Sequence, residues 1–414
     1  MKVSDNVLRK YAALAVRTGI NIQKDQMLVI QAGTESNYFV RLCVQEAYKA
    51  GAKKVYVQWN DDEVNRLDYE YQSVETLEEV PEWSLNRIQH YMDEKAPRLS
   101  VYAPTPGLLK DIDSEKVRRA QVALQSKDVV KKFRQFSMGN KAQWSLVSIP
   151  SVGWATKVFP ELDEKEAVDK LWEAILQAVR IDENNDPVLE WSQHNEKLHK
   201  QNTILNDYNF KSLHFKNSLG TDLVVGLAKD HIWAGGSEVA ANGFEFNPNL
   251  PTEESFTMPD KNNVNGIVYS TKPLNYGGRL IDEFWLRFED GKVVEHGAKK
   301  EEEALTNLLN FDEGSRRIGE IALISHDSPI SNSNILFLNT LFDENASCHM
   351  ALGAAYPMNI KGGLNMTEEE LSLTDANRSS QHEDFMFGSH DMKIVGETFD
   401  GQQVLVFENG DFVF

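Results

Sequence analysis

Cysteine is nearly absent: Cys43 and Cys348 are the only two among 414 residues. Two thiols cannot build a disulfide framework, and neither belongs to a Cys-x-x-Cys pair. The expectation is a reducing, cytoplasmic setting. Positive charge is also short, with 43 Lys and Arg against 63 Asp and Glu for a net charge of −20. A surface that negative repels phosphate groups, which disfavours a nucleic-acid or anionic-membrane partner. Long apolar runs are missing as well, since no stretch reaches the roughly 18 consecutive apolar residues of a membrane span. The opening MKVSDNVLRKYAALAVRTG carries Asp5, Arg9, Lys10 and Arg17, so it offers no uncharged core for a secretory signal. What is present is ordinary for a folded chain: 41% hydrophobic and 26% charged residues. That length and composition suit about two to three domains with sizeable cores.

The first half alternates between two periods. Leu8, Tyr11, Ala12 and Ala15 form a helical stripe that stops at Gly19, and Met27–Ile30 then reads as a buried strand. A second stripe through Phe39, Leu42, Cys43 and Ala47 stops at Gly51, and Lys54–Trp59 is the next strand. Strand, helix, strand is a βαβ unit, whose crossover makes the strands parallel. Leu99–Ala103 and Trp144–Ile149 continue the series. After Pro160, Asp163 with Glu166 reads as a helix start, carrying the stripe Val168, Leu171, Trp172, Ile175 and Val179. Asp186-Pro187 opens a further, polar helix that would bridge two domains. The boundary therefore falls around 185–205, giving an N-terminal α/β domain over 1–195 and a second domain over 196–414. The second half reads differently. Asn209–Lys216 with Asp222–Leu227, and Glu283–Phe288 with Lys292–His296 around Glu289-Asp290-Gly291, are hairpins. With the intervening helix Glu301–Asn310, this predicts a mixed, largely antiparallel α+β domain.

Common catalytic signatures are excluded cheaply. The loop after the first strand, Ala32-Gly33-Thr34-Glu35-Ser36, is no Gly-x-Gly-x-x-Gly, so the βαβ unit lacks a dinucleotide fingerprint. There is neither a phosphate-cradling loop nor a Gly-x-Ser-x-Gly elbow. His382-Glu383 begins like H-E-x-x-H but reaches Met386 at the fifth place. His194 and His199 lie about 140° apart around a helix and cannot grip one ion together.

Four loop-rich segments of the second half remain. In Asn249-Leu250-Pro251-Thr252-Glu253-Glu254-Ser255-Phe256-Thr257, two adjacent acids would point to opposite sides if extended, one to a metal and one to another task. Taken alone, that segment reads more plainly as a solvated loop with two surface acids. Glu320 opens the apolar run Ile321–Ile324, where burial would demand a partner charge or metal, with Arg316 or Arg317 as the plainer alternative. Between Asp343 and Tyr356 lie Glu344, His349 and a dense set of Ala and Gly residues that permit close backbone approach to a ligand. A histidine like His349 could also be a hydrogen-bonded core residue. Finally, His382-x-Asp384 in NRSSQHEDFMFG would project both side chains to one side of a strand. Together these acids and imidazoles, without cysteine, suit Zn, Co, Mn or Mg. So many ligands exceed what one ion needs, and two ions about 3.5–4 Å apart with a bridging carboxylate would use them.

NLPTEESFT, the Gly-Glu before an apolar strand, DENASCHMALGAAY and NRSSQHEDFMFG stand in order along the chain. With them the whole sequence resembles the thermophilic aminopeptidase family, the metal-dependent AmpS/AmpT/PepS-like leucyl aminopeptidases. The resemblance implies a cytoplasmic homodimer that removes N-terminal residues from peptides with a free N-terminus, using two divalent ions in the C-terminal domain. Carried over motif by motif, it makes Glu254, Glu320, His349, His382 and Asp384 the metal ligands, with Glu344 a further one. Glu253 becomes the general base and Tyr356 the group that stabilises the oxyanion. Chemistry alone does not separate Glu253 from Glu254. The rivals are another two-metal hydrolase, such as an amidase or phosphoesterase, and a non-enzymatic α/β protein that binds a nucleotide; the missing glycine fingerprint speaks against the latter.

Overall fold

Residues 3–276 and 279–414 are described by a computed structural model, in which the chain divides into two units. The first comprises Met1–Ser192 with Ser237–Leu250, the second Gln193–Gly236 with Pro251–Phe414. The division falls inside the long polar helix Pro187–Tyr208, between Ser192 and Gln193.

The first unit is a parallel sheet in the order Lys54–Asn60, Met27–Gly33, Arg98–Tyr102, Trp144–Ser148, Asn249–Leu250. Leu28 and Ile30 are buried in the interior strand Met27–Gly33, and helix Asn37–Lys49 buries Phe39, Val40, Cys43 and Ala47. Asp163 caps helix Glu164–Ala178, its side chain accepting from the Glu166 N–H at 2.9 Å. The α/β expectation for this half holds. Among the described residues no helix is long and apolar enough to cross a membrane.

The second unit holds two antiparallel sheets. The larger contains both expected hairpins, Phe210–Lys216 with Asp222–Leu227 and Arg279–Glu289 with Lys292–Lys300. The second hairpin turns at Asp290 (φ 47°) and Gly291 (φ 78°). Two successive left-handed residues are what a tight hairpin requires, because that twist matches the strands. Phe215, Phe284, Leu305, Ile321, Leu352 and Phe385 share one buried cluster, so the larger sheet, helix Glu302–Leu309 and the smaller sheet pack on a common core. The smaller sheet runs Ser255–Thr257, Ile318–Leu323, His349–Gly353, His382–Met386. Its register decides the site.

Candidate metal centre

Residues opposite one another on neighbouring strands share a face, as do residues two apart on one strand. Glu320 lies opposite Ala351, and Ala351 opposite Asp384. His349 is two residues before Ala351, and His382 two before Asp384. One face of this sheet therefore presents Glu320, His349, His382 and Asp384, with the small Ala351 between the two acids leaving them room. Glu254 precedes strand Ser255–Thr257, two residues from Phe256, whose partner Ala322 is itself opposite His349.

The side chains meet accordingly. His349 Nε2 lies 3.3 Å from Glu254 Oε2, 3.4 Å from Glu320 Oε1 and 3.9 Å from Asp384 Oδ1. His382 Nε2 lies 3.6 Å from Glu320 Oε2 and 3.5 Å from Asp384 Oδ1. Among the described residues two sets have ligand atoms within 4.8 Å of one another: Glu254, Glu320 and His349, and Glu320, His382 and Asp384. Glu320 belongs to both, one oxygen toward each imidazole.

Hydrogen bonds fix both rings. His349 Nδ1 donates to the Glu344 carbonyl at 2.8 Å, and His382 Nδ1 to the Ala354 carbonyl at 2.7 Å. A carbonyl only accepts, so Nδ1 of each ring carries a proton and Nε2 faces the carboxylates; once Nε2 gives up its own proton, its lone pair is the one a cation would use. Asp384 Oδ1 is buried and makes no hydrogen bond. These donors fit a divalent cation of borderline or hard character.

The electrostatics follow from crowding acids in a dry place. Burial raises the Glu320 carboxyl above its usual range, and Asp384 and Glu254 add to that. Glu344 is pushed well up, by burial first and then by Asp384 and Glu254. Burial alone would lower the two imidazoles. For His349, hydrogen bonds to Glu254 and Glu320 outweigh it and carry the ring well above its usual range. For His382, Asp384 and Glu320 do the same, to about 10. Burial also opposes the charge of Asp384, but the two histidines hold it below its usual range. An excess of buried negative charge demands positive charge.

Tyr356 packs at a tilt against His382 with ring centroids 4.6 Å apart, and burial with the nearby acids keeps its hydroxyl protonated well above its ordinary range. Glu344 stands outside both ligand sets although it feels the same charges. The adjacent glutamates part company. Glu254 joins His349, whereas Glu253 Oε2 lies 3.7 Å from His194 Nε2 and the Glu253 N–H donates to Asn345 Oδ1 at 2.7 Å. His194 also hydrogen-bonds the Thr252 carbonyl at 2.7 Å. Neither His194 nor Asn345 stood out in the sequence as a partner of Glu253. Glu383, between His382 and Asp384, belongs to the opposite face by the strand's alternation; its carboxyl is raised to about 7, by burial first.

Gly235 (φ 142°) backs the first ligand set, next to Ala234, which bridges to Phe256. A Cβ at this glycine would collide with the Glu254 carbonyl oxygen, and its φ lies where side chains are strained. Gly235→Ala is expected to cost about 1–3 kcal/mol of stability and to displace Glu254. Thermal melting and bound-metal content would both fall; an alanine variant with native metal content would show that the backbone here can give.

The chain matches the family described as thermophilic metalloprotease (M29) over residues 4–412. It belongs to that family. The M29 chain is 47% identical to aminopeptidase AmpS of Bacillus subtilis (strain 168) over 407 residues, 98% of each chain. It is 44% identical to aminopeptidase 2 of Geobacillus stearothermophilus, again over 98% of each. The solved structure of wild-type AmpT from Thermus thermophilus superposes with a TM-score of 0.90 at 40% identity, covering 99% of both chains. The fold expectation, parallel βαβ units followed by antiparallel sheets, is borne out, and so is membership of a metallopeptidase family of hydrolases.

Proposed function

We propose that this M29 chain is an aminopeptidase that hydrolyses the N-terminal peptide bond of peptides at a dinuclear metal site. The carrying observation is Glu320, which turns one carboxylate oxygen toward each of two ligand sets on one sheet face. Glu254 and His349 would hold one ion, His382 and Asp384 the other, and Glu320 would bridge, with Glu344 close by. Two divalent ions, Zn, Co, Mn or Mg, would supply Lewis acidity toward the scissile carbonyl and lower the pKa of the attacking water.

The protein's own groups do the rest. Glu253, held by its backbone bond to Asn345, accepts the proton of the attacking water and returns it to the leaving amine. Tyr356, kept protonated by burial among acids, donates to the developing oxyanion. The acidic surroundings, Glu344 included, favour the free α-amine of a substrate, which separates an aminopeptidase from an endopeptidase. In keeping with the family likeness, the working form is a homodimer. The scarce thiols, both buried and unpaired as a disulfide, agree with a cytoplasmic setting.

A panel of free and N-acetylated peptides with metal analysis of the purified protein tests this. Free-amine peptides should be cleaved and acetylated ones left intact, with close to two ions per chain. Turnover of blocked amides or phosphoesters alone would assign the site to another two-metal hydrolase.

A further inference from the structure

The peptide unit joining Thr252 to Glu253 is held at both ends. Its carbonyl oxygen lies 2.7 Å from His194 Nε2, and its N–H donates to Asn345 Oδ1 at 2.7 Å. A carbonyl only accepts, so His194 Nε2 carries the donated proton. Asn345 in turn donates from Nδ2 to the Leu341 carbonyl at 2.9 Å, which leaves its oxygen for the Glu253 N–H. His194 and Asn345 are both buried. We propose that these two are positioning residues for the reaction: by gripping one peptide unit they aim the Glu253 carboxylate at the attacking water and keep it out of the set of metal ligands. The role rests on the aminopeptidase reading above, with Glu253 as its general base, and adds the groups that orient that base.

Backbone geometry supplies the first argument. A peptide unit is planar, and its orientation is set by the torsion on either side, here ψ of Thr252 and φ of Glu253. Holding its oxygen and its N–H together fixes both torsions, and φ of Glu253 decides where the Glu253 side chain leaves the backbone. Were the unit to rotate, the carboxylate would swing toward the side that Glu254 takes. The distances supply the second argument. His194 Nε2 is 3.7 Å from Glu253 Oε2, too long for a hydrogen bond, so this nitrogen grips the backbone and not the carboxylate.

Connectivity supplies the third. Asn345 follows Glu344 in the short turn Glu344–Ala346, and the Glu344 carbonyl accepts from His349 Nδ1 at 2.8 Å. One turn thus sets the Glu253 backbone against a ring of the metal centre. Placement of this kind matters to rate, because moving a reacting group by about 1 Å can cost about 100-fold.

The test uses metal-loaded full-length enzyme and leucyl p-nitroanilide. His194→Ala should lower kcat about 10- to 100-fold while KM stays within about threefold and bound metal is unchanged. His194→Gln, whose amide nitrogen can reach the place of Nε2, should recover kcat to within about fivefold of wild type. His194→Asn, whose amide falls short of the Thr252 carbonyl, should not recover it, and it keeps the comparison open if the alanine variant fails to fold. A double variant decides through which group His194 acts. Glu253→Gln should cost about 100- to 10,000-fold in kcat. Adding His194→Ala to it should cost less than about twofold more, since changes that act through one group are not additive. An equal loss from His194→Ala with and without Glu253 would overturn the positioning role. So would a His194→Ala or His194→Asn enzyme with wild-type kcat, or a loss matched by lost metal. Wild-type kcat in Glu253→Gln would instead overturn the base itself, and a wild type inactive on the free-amine substrate would overturn the aminopeptidase reading.

Discussion

Glu320→Gln is expected to reduce kcat on aminoacyl p-nitroanilides by about 1,000-fold or more, with the far-ultraviolet dichroism unchanged. The magnitude follows from its place rather than its type. Glu254 and Asp384 each serve one ligand set, while Glu320 serves both. An amide keeps the shape and one acceptor oxygen but presents an N–H₂ where the second cation would sit. It also removes a negative charge from a carboxylate that turns a separate oxygen toward each imidazole. Losing the preorganised electrostatics of a metal site costs several kcal/mol of transition-state stabilisation, and each 1.36 kcal/mol is tenfold in rate. A second readout separates chemistry from folding. Glu320 is buried among acids that raise its own pKa, so ionising it in the metal-free protein is unfavourable. The metal-stripped glutamine variant should therefore melt no lower than metal-stripped wild type, although the metal-loaded variant melts lower than loaded wild type. Full activity of Glu320→Gln in metal-replete buffer would remove the bridging role altogether.

Much of this arrangement was legible from short spacings. His382-x-Asp384 landed on one face because a strand repeats every two residues, and 382–386 is a strand. The Gly-Glu before an apolar run marked the entry to a fully buried strand, Ile318–Leu323, where an acid has to meet positive charge. The βαβ series was readable because each strand and helix is long enough to show its period. Asn249–Leu250 was not read as a parallel strand: two residues carry no period, and only the neighbouring Trp144–Ser148 gives them a sheet to join. Adjacent Glu253 and Glu254 were indistinguishable for a related reason. In an extended segment they diverge, and which side holds the ligands depends on residues nearly a hundred positions away, His349 and Asn345. His194 lay on a polar helix whose pattern advertises solvent, and it acquires meaning only where the fold sets it against the Thr252 carbonyl and Glu253. The left-handed Leu338 (φ 56°) likewise leaves no trace in composition, because what brackets it is the Asp343 carboxylate accepting from the Phe337 and Asn339 N–H groups on either side.

Stripping the metal with EDTA is expected to abolish activity, to be reversed by Zn, Co, Mn or Mg, and to make stability fall as pH rises. The sign comes from the protons that stand in for cations. His382 has a folded pKa of about 10, and His349 is also raised, against about 6.5 for a free imidazole. Their stabilising protons are all present below about pH 6.5 and are lost as pH climbs through the folded values. Glu320 and Glu344 are raised too, so the folded chain retains protons that the unfolded chain has already released above about pH 4.3, and it loses that advantage as pH rises. Asp384 is lowered and acts oppositely, but only in acid below about pH 3.9. From about pH 6 to 10 the contributions of the raised groups to metal-free stability therefore have one sign, and Tm should decline. Bound cations replace those protons and require the imidazoles neutral, so loading becomes more favourable over the same interval. At a free-metal level about 1,000 times Kd, the loaded form gains about 4 kcal/mol over the stripped one. Calorimetry of stripped and reloaded enzyme across this range should show two melting curves that diverge with rising pH. Curves that coincide, or a gap that closes toward alkaline pH, would mean that the cluster neutralises its acids without cations.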